Sequence, residues 1–225
     1  MSTLEAIQFD AANGQLRVLD QLLLPHRTEY IKVCSAEDGA RVIRNMNVRG
    51  APALAITAAL SLATELFHIP PESVSTAQNM LDHIQLQWKN VLNPARPTAV
   101  NLAAAGEYLI ASCIAFLRNQ QSENINIEAK DMAKHYCDTA YAFFKQDVET
   151  NRQLADHGAR WILEYVHASP SHPLLNTNAK SLVENDNDGS VLRILTHCNT
   201  GSLVRICTIF CLDMLLRQPP DMELL

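Results

Sequence analysis

From Ala53 to Phe67 the chain is apolar on almost every side of a helical circle, and this stretch constrains the fold more than any other. A helix that is apolar all round has no face to show to water, so it has to be buried inside the protein. Pro52, just ahead of it, suits the first helical turn, where its missing N–H would have had no partner anyway. Gly50 precedes that turn and Arg49 precedes the glycine.

The elements on either side of this helix can be read from turn and cap signals. Ala6–Phe9, Leu16–Leu19 and Thr28–Val33 are short extended pieces. Asn13-Gly14 lies between the first two, a hairpin dipeptide because both residues tolerate positive φ. Together they predict a small antiparallel sheet with a packing role. Ser35, with Asp38 three residues on, resembles a capping box. It starts a helix with Gly39, Ile43 and Met46 on one face, ending near Asn47. Beyond the central helix, Ser73 or Ser75 caps a helix whose stripe is Ala77, Leu81, Ile84, Trp88 and Val91. Pro97 then opens a helix to about Leu117, and Glu123–Thr150 forms another. Asn151-Arg152 marks a break, after which Leu154, Gly158, Trp161, Ile162 and Tyr165 continue one inward face, with His157 turned to solvent. Gly158 inside that pattern predicts a close helix contact.

Residues 168–190 are rich in Pro, Asn, Asp and Gly and read as a linker. Leu192–Leu195 is a short apolar run bounded by turn signals, the pattern of a buried parallel strand. Leu203–Arg217 fits one amphipathic helix, with Ile206, Ile209, Phe210 and Met214 inward. The expected architecture is α/β. A β and helical N-terminal domain spans residues 1–167, and residues 191–225 supply the first strand and helix of a second, parallel-sheet domain. A parallel strand buried on both faces needs neighbouring strands, so that second domain reads as incomplete.

The net charge of −6 argues against a nucleic-acid binder, which would normally show a basic face, and disfavours an anionic membrane surface. No segment free of polar residues reaches spanning length, and the first residues carry no signal-peptide pattern. The six cysteines at 34, 113, 137, 198, 207 and 211 form no CxxC pair and no zinc-type spacing with histidine. A soluble protein of a reducing compartment, without a metal, is the expectation.

Three places carry candidate chemistry. At Arg49-Gly50-Ala51, glycine lets the backbone approach a ligand, and the helix start offers unpaired N–H groups beside a full positive charge. That suits a phosphate or other anion; a glycine turn with a solvated arginine fits the same letters. Arg96 sits immediately before the predicted helix at Pro97 and would be a second arginine at a helix entry. The two would clamp one anion if they converge, and each is otherwise a surface charge. Cys198 stands in Thr196-His197-Cys198-Asn199-Thr200-Gly201, at the tip of the predicted parallel strand, where open α/β sheets bind ligands. A buried inert thiol is the competing reading.

Taken in order, Val48-Arg49-Gly50-Ala51-Pro52-Ala53, Arg96-Pro97-Thr98-Ala99-Val100-Asn101-Leu102, Asp156-His157-Gly158-Ala159 and Thr196-His197-Cys198-Asn199-Thr200-Gly201-Ser202-Leu203 resemble the methylthioribose-1-phosphate isomerases of methionine salvage. Leu4-Glu5-Ala6-Ile7 and Leu19-Asp20-Gln21-Leu22-Leu23-Leu24-Pro25 agree as well. The resemblance implies an N-terminal β and helical domain joined to a Rossmann-like domain, a homodimer, and a cytoplasmic or also nuclear location. It implies a cofactor-free aldose-to-ketose isomerisation of 5-methylthioribose 1-phosphate to 5-methylthioribulose 1-phosphate. The phosphate on C1 blocks spontaneous ring opening, so such an enzyme opens the ring and then moves hydrogen between C2 and C1. The family roles fall on Arg49, Gly50, Ala51 and Arg96 as phosphate and sugar contacts, and on Cys198 as the cysteine beside the reacting carbons. After Leu203 the sequence departs: Val204-Arg205-Ile206-Cys207 is unlike the family's continuation, and the family's downstream glutamine, proton-donating aspartate and Asn-Lys pair have no counterpart. Little or no turnover is therefore expected of the chain as written. The same wider family holds regulatory subunits of a translation-initiation exchange factor and a ribose-bisphosphate isomerase. A non-catalytic regulatory or dimerising subunit, or a ribose-bisphosphate isomerase, is the alternative reading.

Overall fold

The computed structural model describes residues 4–70, 73–168, 183–186 and 189–192. Its centre is α2 (Ala51–His68), in which thirteen of eighteen residues are buried. The Ala53–Phe67 pattern is met by helices packed round it: α1 (Ala36–Arg44), α4 (Val100–Ser122) and α5 (Ala129–Ala168) all contact α2. Only at its C-terminal end does the pattern fail, where Phe67 is exposed and rests on the Gly14 turn.

A three-stranded antiparallel sheet, β1 (Ile7–Asp10), β2 (Gln15–Leu19) and β3 (Tyr30–Val33), lies against α2 in the order β1-β2-β3. Its inward residues Ile7, Leu16, Val18 and Val33 are buried in the common core. The turn between β1 and β2 is not a two-residue Asn-Gly turn. It runs over four residues, with Gly14 alone at positive φ (57°). Asp10 Oδ1 accepts from the Ala12 and Asn13 N–H groups, and Asn13 Nδ2 donates to Asp10 Oδ2. That local carboxylate cap sets the turn.

Helix α1 begins as its sequence dictates: Ser35 Oγ accepts from the Asp38 N–H, and the Asp38 carboxylate reaches back to the Cys34 N–H. It closes at Arg44, and Met46 then adopts φ 62° and is exposed rather than continuing the inward face. Helix α3 (Ala77–Gln87) is capped by Thr76, not by Ser73 or Ser75. It runs into a π-helical turn, Trp88–Leu92, and a 3-10 turn, Asn93–Ala95. The wider π turn rotates the register, so Leu92 is fully buried while Val91 packs against the core half-buried. Trp88 is fully buried and its Nε1 donates to Tyr136 Oη at 3.0 Å, while Tyr136 Oη donates to the Ala59 carbonyl at 3.3 Å, joining α3, α5 and α2.

Two expectations about the later helices are corrected. Helix α4 starts at Val100, not at Pro97. Helix α5 passes through Asn151-Arg152 without a break, because Asn151 Nδ2 donates to the Asp147 carbonyl and to Asp147 Oδ2 one turn back. At 40 residues it is about 60 Å long. Past Asn151, Ala155 and Ala159 are buried while Leu154 and Trp161 are exposed, so those last two do not take the inward positions expected of them; His157 is exposed as expected. By length and composition α2 and α4 both resemble spans, with 72% and 33% of their windows buried; burial makes α2 a core helix. The stretch read as a linker contains β4 (Val183–Asp186) and the start of β5 (Gly189–Leu192), which pair antiparallel. Leu192 is thus the end of a hairpin strand. The remainder of the predicted parallel strand and the helix after it lie outside the described residues.

Candidate functional site

Arg49 and Arg96 are the two arginines among the described residues that are not exposed. The exposed arginines include Arg27, Arg41 and Arg44, which pair with Glu29, Asp38 and Glu37. Among the described residues neither Arg49 nor Arg96 pairs with a carboxylate. A cation drawn partly out of water without a counterion is costly, and sites kept in that condition are suited to an anion from outside.

The Arg49 turn is built as the letters require. Gly50 sits at φ 95°, ψ 133°, a conformation open to glycine and strained for other residues. No side chain caps α2, whose first turn is closed only by the Leu54 N–H on the Gly50 carbonyl at 3.0 Å. The exposed Ala51 stands at this start, so its N–H and the helix dipole face outward beside Arg49. Arg49 Nε donates to the Met46 carbonyl at 3.3 Å, which leaves the two terminal nitrogens of the guanidinium for a ligand.

Arg96 is placed differently from the expectation. It stands four residues ahead of α4, in an extended conformation with φ −152° and ψ 83°, and its carbonyl accepts from the Ala99 N–H. The residue before a proline is pushed away from helical geometry, so Arg96-Pro97 forms a turn and the helix opens later. Arg96 lines a hollow of about 350 Å³ with Asn93, Pro94, Pro97, Ala99, Leu102 and Ala103. Arg49 is not part of that lining. What the two turns share is α1: the Arg49 turn leaves its C-terminus, and the 3-10 turn that delivers Arg96 packs against it. Cys198 lies outside the described residues.

Four residues that sequence reasoning left without a role carry buried polar atoms with no hydrogen-bond partner among the described residues: Thr57 Oγ1 and Thr64 Oγ1 on α2, Asn93 Oδ1 and Asp156 Oδ1. Buried polar atoms are nearly always paired. Asn93 borders the Arg96 hollow, and Asp156 opens the Asp-His-Gly-Ala stretch on α5. The thiols that are described hold no comparable promise: burial pushes Cys113 and Cys137 up to about 12, so both stay protonated at neutral pH, and Cys34 is exposed.

Comparison with known proteins bears on this arrangement. The methylthioribose-1-phosphate isomerases of Drosophila persimilis and Drosophila pseudoobscura pseudoobscura are each 36% identical to the chain over 201 residues, 89% of it and 49% of their own length. The chain thus spans about half the length of the curated relatives it matches. The fold matches the crystal structure of 5-methylthioribose 1-phosphate isomerase from Pyrococcus horikoshii OT3 with a TM-score of 0.65 at 26% identity, over 92% of this chain and 47% of that one. It matches the translation initiation factor eIF-2B subunit delta from A. fulgidus with a TM-score of 0.58 at 25% identity, over 71% of this chain and 42% of that one. The model of the Initiation factor 2 subunit family covers residues 47–213, from just ahead of the first arginine turn to beyond the cysteine corner. The chain belongs to the Initiation factor 2 subunit family.

Proposed function

We propose that this chain is a sugar-phosphate isomerase by descent, built for 5-methylthioribose 1-phosphate, with Arg49, Gly50, Ala51 and Arg96 as its phosphate and sugar contacts. The observation that carries the reading is the pair of half-buried arginines without acid partners among the described residues, on two turns that both adjoin α1. The similarity to isomerases names the substrate class. An aldose 1-phosphate offers a dianionic group that a guanidinium grips through two parallel N–H bonds. Each such charge-assisted bond is worth about 1.5–3 kcal/mol.

In this reading Cys198 stands beside C1 and C2 of the opened sugar and takes part in moving hydrogen from C2 to C1, converting aldose to ketose with no net redox change. A placed acid or base contributes about 10²–10⁴-fold. Turnover by this chain alone is expected to be small or nil, since the residues after Leu203 depart from the pattern that the resemblance supplies. The domain boundaries near 167 and 191, a Rossmann-like second domain and a homodimer belong to the same proposal; light scattering of the purified chain tests the last.

The deciding experiment is titration of the chain with 5-methylthioribose 1-phosphate together with alkylation mapped by mass spectrometry. Exposed Cys34 is expected to react, and Cys113 and Cys137, protonated by burial, are expected not to. The proposal expects sugar phosphate to protect Cys198, and Cys198→Ala to keep binding while abolishing any turnover. Binding unaffected by Arg49→Met and Arg96→Met, with no protection of Cys198, would sink it. The likeness to an eIF-2B subunit favours one competitor, a non-catalytic interaction subunit, which predicts no sugar-phosphate binding at all.

A further inference from the structure

We infer that Asp20, in the loop after β2, is a positioning residue for Arg49, holding the turn that aims this guanidinium at its anion. The inference rests on the proposal that Arg49 contacts the sugar phosphate. Arg49 Nε is bonded to the carbonyl of Met46, so the direction of the guanidinium follows the direction of that carbonyl. Met46 has φ 62°, in the left-handed region that side chains other than glycine rarely occupy. Conformations of this kind persist only where the surroundings over-determine them, and they collect at ligand clamps.

What over-determines this one is the next residue. Asn47 is 9% exposed and tied three ways. Its N–H donates to the Val42 carbonyl at 3.0 Å, its carbonyl accepts from the Gln21 N–H at 2.9 Å, and its Nδ2 donates to Asp20 Oδ1 at 2.9 Å. Asp20 is itself fixed: the same Oδ1 accepts from the Leu22 N–H at 3.1 Å, and its own N–H donates to the Glu29 carbonyl at 2.9 Å. Two of the three ties on Asn47 therefore come from the Asp20-Gln21 segment. The loop after β2 is stapled to the loop before α2, and the rigid sheet is the anchor. Removing the Asp20 carboxylate frees the Asn47 side chain, lets Met46 relax out of φ 62°, and releases Arg49 from the single bond that orients it.

The test uses the 225-residue chain and calorimetric titration with 5-methylthioribose 1-phosphate. Asp20→Ala is expected to weaken binding about tenfold or more, the loss typical of a hydrogen bond to a charged group. The reciprocal exchange Asp20→Asn with Asn47→Asp keeps one donor and one acceptor across the staple and is expected to return affinity to within about threefold. A purely structural role is excluded by a cycle: in an Arg49→Met background, Asp20→Ala is expected to weaken binding no further. If Asp20→Ala does not fold, Asn47→Ser removes only the side-chain tie and carries the same expectation. Asp20→Ala binding like the parent, or a loss that adds in full to that of Arg49→Met, overturns the inference while leaving the anion site standing. A parent chain that does not bind, or an Arg49→Met variant that binds like the parent, overturns the anion site itself and this inference with it.

Discussion

Replacing Arg96 by methionine should make the chain more stable and less responsive to anions at once. The side chain is half-buried, has no acid partner among the described residues, and borders a hollow of about 350 Å³ whose lining is mostly Pro94, Pro97, Ala99, Leu102 and Ala103. Methionine keeps the unbranched apolar stem that packs there and removes the charge, so the desolvation cost disappears without a cavity being opened. Relief of an uncompensated charge at a functional position is worth about 0.5–2 kcal/mol. With a urea slope of about 1–3 kcal/mol/M, the midpoint should rise by a few tenths of a molar to about 1 M when no anion is present. Anion reverses the order. A ligand at a hundred times its dissociation constant stabilises the parent by about 2.7 kcal/mol, and the variant should gain little of this. Urea unfolding of both proteins, with and without inorganic phosphate, gives all four midpoints. A variant that unfolds earlier than the parent without phosphate, or gains as much from it, would show that Arg96 is an ordinary packed arginine.

Three further outcomes follow from packing and titration. Gly39→Ala should destabilise the chain by about 1–3 kcal/mol, because a Cβ there would lie 2.2 Å from Ser61 Oγ and 2.5 Å from Ser61 Cβ; adding Ser61→Gly should restore the denaturation midpoint where Ser61→Ala does not. Tyr136→Phe should cost about 1–3 kcal/mol in the same assay, since it strips the fully buried Trp88 of the acceptor for its Nε1. Glu65 supplies a pH effect. Burial pushes its carboxyl up, but hydrogen bonds from His83 and the Ala36 N–H outweigh burial and leave it below its ordinary 4.5. A depressed carboxylate stabilises the fold above its unfolded value and loses that contribution as pH falls through the folded one. Glu65→Gln should therefore lower the thermal midpoint at neutral pH and flatten its decline below about pH 4.5; an unchanged acid limb would refute the assignment.

The parts of the fold that were legible are those decided by local chemistry. Ser35 with Asp38 gave a helix start to the residue, and the stretch that is apolar on almost every side gave the central helix, because capping and burial leave few alternatives. What escaped was decided by partners that a one-dimensional pattern does not show. Leu92 is buried more deeply than Val91 because a π turn inserts an extra residue per turn. Asn151 does not break α5 because its side chain finds Asp147. Leu154 and Trp161 repeat at helical spacing and are nonetheless exposed, since which stripe of a long helix is covered depends on where its neighbours end. For the site, the identity of both arginines was readable, but their lack of acid partners was not. Asn93 had no signal beyond preceding a proline, and its buried, unpaired Oδ1 appears only in three dimensions.

The arginine turns and the cysteine corner belong to separable parts of the chemistry. Arg49 and Arg96 are held by elements drawn wholly from the first hundred or so residues: α1, the turns after α3, and the sheet that anchors Asn47. Under the proposal, their grip on phosphate is nearly the same in the aldose, the transition state and the ketose, because phosphate does not change during isomerisation. Binding of that uniform kind lowers the concentration of substrate needed without lowering the barrier after it is bound. Acceleration has to come from groups at C1 and C2, and under the proposal Cys198 is the one this chain carries. Substitutions at the arginines should therefore move affinity and leave any residual turnover at saturation alone, while Cys198→Ala should do the reverse. Under the proposal, a chain that grips phosphate through the first set and departs from the resemblance after Leu203 is expected to bind the sugar phosphate and convert it slowly, if at all.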